Sequence, residues 1–134
     1  MLAFLSLFAC SEETKTATKE VFPREVLTEA GGYSVAYVPA PDPIPLNREF
    51  SIALSVYSAD DTEEKLMDVE VLASAEMPEH DHGMPQEPLM EDDGNGGYTA
   101  SGMLFQMSGD WDILVWVTEE GSTELAVFSV DCCE

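Results

Sequence analysis

Positive charge is what this chain has least of. Five Lys and Arg stand against 27 Asp and Glu, for a formal net charge of −22 over 134 residues. Such a surface repels phosphate backbones, which excludes the nucleic-acid-binding classes. It also disfavours docking on anionic lipid headgroups, while raising the local concentration of cations. Cysteine is scarce, with three in all. If Cys10 is modified, only Cys132 and Cys133 remain, and neighbours seldom bridge each other. They could bind a soft metal, cross-link to another chain or sit idle, and a frayed end is the reading preferred for them. No apolar run is long enough to cross a bilayer as a helix, and no segment keeps a helical period. There is no Ser-His-Asp order, nucleophile elbow or phosphate loop, and the cysteine pair lacks the Cys-x-x-Cys spacing.

What is present is a modest apolar content of 45% in one domain-sized chain. Phe50, Ile52, Leu54 and Val56 alternate with Ser51, Ala53, Ser55 and Tyr57, the period of a half-buried strand. Tyr33 to Val38 is β-rich, Val69, Val71 and Ala73 alternate towards Met77, and Tyr98 to Phe105, Trp111 to Val117 and Leu125 to Val130 complete the set. Asp60 to Glu64 reads as a charged loop, and Asp92 to Gly97 as a hairpin turn. Turns about every ten residues predict an all-β fold, a β-sandwich of about seven short strands. Trp111 and Trp116 are expected to pack in the core or at a sheet edge, and Met90 and Met103 to pack rather than bind.

The N-terminus runs Met-Leu-Ala-Phe-Leu-Ser-Leu-Phe-Ala-Cys and turns polar at Ser11. Leu7-Phe8-Ala9-Cys10 resembles a bacterial lipobox. That resemblance implies a signal over residues 1–9, a lipidated Cys10, and a flexible tether over 10–30 leading to a domain over 31–134. The protein would then sit in the cell envelope on a lipid anchor. Two departures are Phe8, where a small residue is usual, and the absence of Lys or Arg before the apolar run.

Both histidines fall within Met77-Pro78-Glu79-His80-Asp81-His82-Gly83-Met84-Pro85, beside two of the seven methionines. Imidazole suits Cu(II) and thioether sulfur suits Cu(I), so the pairing points to copper. In an extended segment His80, His82 and Met84 would share one face. A solvated acidic turn is the alternative reading of the same residues.

Pro43-Ile44-Pro45-Leu46-Asn47, then Met77-Pro78 with His80-x-His82-Gly83-Met84, then Gly96-Gly97-Tyr98 and Phe105-x-Met107-x-Gly109-x-Trp111, together resemble the YtkA-like domain family. The resemblance covers roughly Gly31 to Val130. It implies an immunoglobulin-like β-sandwich, exported and membrane-tethered, associated with copper handling. Asp81 stands where smaller residues are usual. Carried over by position, His80, His82 and Met84 are the expected ligands, with Met107 as the distant partner and Met77 as a further candidate. The expected activity is copper carriage or buffering by ligand exchange, with no catalysis and with a possible membrane-associated protein partner. The alternative is a structural or interaction module with no metal role.

Overall fold

The computed structural model describes residues 22–133. Cys10, the leader and most of the expected tether lie outside the described residues. Among the described residues ten strands form two antiparallel sheets. They are β1 (Glu25–Leu27), β2 (Tyr33–Ala40), β3 (Phe50–Ser58), β4 (Asp61–Lys65), β5 (Glu70–Met77), β6 (His82–Gly83), β7 (Leu89–Asp92), β8 (Gly97–Met103), β9 (Gly109–Glu119) and β10 (Ser122–Cys132). One sheet runs β1-β2-β3-β8-β7, with β4 paired to β3, and the other runs β10-β9-β5-β6.

The core is the inward set of each alternating strand. Ile52, Leu54 and Val56 of β3 face Ile113, Val115 and Val117 of β9, and all six are at most 1% exposed. A strand places alternate side chains on opposite faces, so two sheets with one apolar face each close over a shared interior. Trp111, Phe105 and Phe128 fill the largest volumes, and Trp111 stacks on Phe105 at 4.2 Å between ring centroids. Met103 is wholly buried, while Met90 is partly buried against the core.

The strands beyond the expected seven are short or at edges. Asp61 to Lys65 is a strand rather than a loop, folding back on β3 with all five residues exposed. Neither of its faces is buried, so no apolar period marked it, and its charges suit an edge that must resist further pairing. β1 lies within the stretch expected to be tether, pairing Glu25 to Leu27 with Ala36 to Ser34. Behind it, Thr28 is 3% exposed and its hydroxyl donates to Glu124 at 2.7 Å. The structured chain therefore starts before Gly31.

Cys132 does not lie in a frayed segment. β10 stays paired through Cys132, which lies opposite Gly109 and is 4% exposed. The sulfurs of Cys132 and Cys133 are in contact as a vicinal disulfide. The long ladder between β9 and β10 holds this end in place, a constraint that position in the sequence does not reveal.

Candidate metal centre

The His-Met segment does not run extended. Pro78 to His80 form a single 3-10 turn, and Asp81 takes a left-handed conformation at φ 51° and ψ 42°. Proline suits the first position of such a turn because its φ is already set, and a short polar side chain tolerates the left-handed residue better than most. The chain then doubles back as β6, with His82 opposite Met77 and Gly83 opposite Glu76. The period-two expectation that aligned His80, His82 and Met84 fails because the turn breaks the period between the histidines. The rings of His80 and His82 still lie 6.0 Å apart, inclined at 29°.

The structure brings His82 to Met107. Nε2 of His82 lies 3.2 Å from the Met107 sulfur, and its Nδ1 lies 3.1 Å from the Gly83 carbonyl oxygen. A carbonyl only accepts, so Nδ1 carries the hydrogen and donates it. In the neutral ring Nε2 is then a bare lone pair, aimed at a sulfur that also carries lone pairs. Two lone pairs facing each other across this distance offer a Lewis acid two donors at once. Transition-metal bonds of about 2.0 Å to imidazole and about 2.3 Å to sulfur can be made from one ion to two atoms so placed.

Residues that the sequence reading did not name as site residues hold this pair. Gln106 donates from Nε2 to the same Gly83 carbonyl at 3.0 Å, while its buried Oε1 has no partner among the described residues. Trp111 donates from its indole nitrogen to the Met107 carbonyl at 2.9 Å and meets the His82 ring edge-on at 6.0 Å. Trp111 thus fixes both the backbone bearing the sulfur and the ring bearing the nitrogen. Its place in Phe-x-Met-x-Gly-x-Trp was the only trace of this in the sequence. Gly109 has φ 135°, a conformation that other residues rarely adopt, so glycine suits the backbone where the Met107 corner enters β9.

The other candidates are placed differently. Met107 is 41% exposed and His80 is exposed, so both can meet an ion from solvent. Met84 is partly buried against the core. Met77 is 1% exposed, a core residue beneath β6. Among the described residues no three His, Cys, Asp or Glu side chains converge as a metal cluster. An open cleft of about 610 Å³ adjoins His82, lined by Met77, Asp81, His82, Gly83, Leu114 and Trp116 among others.

The YtkA-like family description matches residues 27–115, well over half of the 134-residue chain. No curated protein and no solved structure matches it.

Proposed function

This chain belongs to the YtkA-like family, and we propose that it binds copper as cargo, carrying or buffering the ion in the cell envelope through His82 and Met107. The observation that carries the reading is the contact between Nε2 of His82 and the Met107 sulfur. A carbonyl acceptor at Nδ1 supports the tautomer that leaves Nε2 free for a metal, the usual second partner of a metal-binding imidazole.

His80, beside His82, and Met84, two residues on, are the further ligands within reach of a small loop movement. Met77 contributes by packing beneath them. Imidazole holds Cu(II) and thioether holds Cu(I), so the pair accommodates either state. Thioethers need no deprotonation and form no disulfides, which suits an oxidising compartment. Handover proceeds by ligand exchange at the exposed Met107, and no bond-making chemistry is assigned, so the protein is read as no enzyme. Lipidation at Cys10 would keep the domain at a membrane surface.

The test is a Cu(I) titration of the full chain in detergent against a competing chelator. Cys132 and Cys133 are changed to Ser throughout, and His82→Ala and Met107→Leu are compared with that background. One ion per chain, held at least about tenfold (~1.4 kcal/mol) more weakly by each variant, supports the site. Equal competition by all three chains would sink it and leave the interaction-module reading.

A further inference from the structure

Solvent-facing strand positions of an antiparallel sheet are normally polar. The outer face of β5, β9 and β10 departs from this in one place. Register aligns its side chains in rows across the three strands. Leu72, Trp116 and Leu125 form one row, and Ser74, Leu114 and Val127 the next. Leu72 is 50% exposed, and the other four apolar residues of the two rows are half-buried. The rows on either side are polar. Glu70, Thr118 and Thr123 bound one side, while Glu76, Asp112 and Ser129 bound the other, followed by Asp110 opposite Asp131. The apolar band opens onto the His82 cleft, whose lining includes Leu114 and Trp116.

We propose that this face is a docking surface for a partner protein whose contact patch is apolar at its centre and rimmed by Lys or Arg. Outward-facing apolar side chains gathered in one band, Leu72 exposed and the rest half-buried, mark interaction sites, and tryptophan is enriched where binding energy concentrates. Charge selects the occupant. A second copy would bring another formal −22 against these carboxylates, and an anionic bilayer is repelled for the same reason. A basic rim meets Glu70, Glu76, Asp112, Asp110 and Asp131 with opposite charge, which speeds encounter and fixes orientation. A partner seated there also covers the cleft beside His82. Only that last point, which makes docking the route of metal handover, rests on the copper reading.

The test uses the full chain without copper and three short peptides, alternating lysine with leucine, lysine with serine, and glutamate with leucine. Tryptophan emission is followed on titration. The lysine–leucine peptide is expected to give a saturable blue shift that weakens with salt and is at least about tenfold weaker in Leu72→Ser/Leu114→Ser. Val38→Ser/Ala53→Ser, on the opposite sheet, should leave it unchanged. Glu76→Lys, with the apolar band intact, should also weaken it, which guards against a misfolded double variant. Equal binding of the lysine–serine peptide would reduce the effect to bulk charge and overturn the proposal. So would undiminished binding by the Leu72/Leu114 variant, an equal shift on neutral phosphatidylcholine vesicles, or a dimer by sedimentation that the same variant abolishes. Shielding of Trp116 from acrylamide in the free chain, equal to that of Trp111, would show the face already covered by the chain itself. His82→Ala/Met107→Leu should dock normally, so a failed copper site and a failed docking face give different results.

Discussion

The two sheets share one interior but present different exteriors. On the six-stranded sheet two central outward rows hold mostly small side chains, Val38, Ala53 and Thr99 in one and Ala36, Ser55 and Gly97 in the other, while its larger outward groups, Leu27, Tyr57 and Leu89, lie apart towards the edges. On the four-stranded sheet the matching positions hold Leu72, Trp116, Leu125, Leu114 and Val127. Both sheets obey the same alternation inward, so the difference is not a requirement of folding. A solvated face needs no large apolar groups, and small or hydroxyl side chains cost it little. The bulk on one exterior therefore points to a use outside the fold, and the His82–Met107 pair lies at the edge of that same sheet.

The comparison is broken most forcefully by truncating neighbours that point opposite ways. Ile113 is fully buried and Leu114 faces out. Ile113→Ala should cost about 2–5 kcal/mol, and Leu114→Ala under about 1 kcal/mol, since much of its side chain already meets water. Urea denaturation checks this, and equal losses would mean that the outer face is covered in the folded chain. The tryptophans give a second contrast. Trp111 is 0% exposed and Trp116 is half-buried on the outer face, so Trp116→Phe should remove most of the acrylamide-quenchable emission. Quenching that survives in the variant would place solvent at Trp111 instead.

A smaller effect concerns the rim. Asp112 lies opposite Glu76 on β5, and burial, aided by the charge of Asp110, raises its carboxyl pKa above the ordinary 3.8. The folded state therefore holds a proton that the unfolded state has released, and stability falls as pH rises from about 3.8 through the raised pKa. Asp112→Asn should remove that slope and add roughly 0.2–1 kcal/mol at neutral pH, the range for like charges placed opposite. Thermal melts at pH 3 to 7 test this, and an unchanged slope would reject the assignment. The smallest change sharpens the contrast at the turns. The hairpin between β7 and β8 meets its positive φ with Gly94 and Gly96, whereas that between β9 and β10 places Glu120 at φ 50° before Gly121. Glu120→Asn should stabilise by about 0.5 kcal/mol, because asparagine adopts this region more readily. A fall in melting temperature would show that the Glu120 side chain matters more than its backbone.

How much of this was legible varies with the physical signal behind it. β3 could be read from Phe50-x-Ile52-x-Leu54-x-Val56, because one face meets the core and the other meets water. β4 could not, because both of its faces meet water and backbone pairing leaves no pattern in side chains. The same holds for β1 and β6, which at three and two residues are too short to show a period. At the metal centre the residue types were legible and their arrangement was not. An extended segment would have aligned His80 with His82 and Met84, but Pro78 and the left-handed Asp81 turn the chain between them. Gln106 and Trp111 left no chemical sign of their positioning roles, since amide and indole serve equally well in ordinary packing. Cys132 looked like a loose end and is instead held by β10.

The sequence alone determined the two-faced strands, the acidic surface and the gathering of both histidines with methionine, because these follow from alternation, composition and local spacing. Only the tertiary structure decided that Met107, 25 residues from His82 along the chain, meets its Nε2. Only it decided that leucine and tryptophan from three strands form one outward band. Both depend on which strands lie side by side and in what register, and that is fixed by closing a common core rather than by any segment alone.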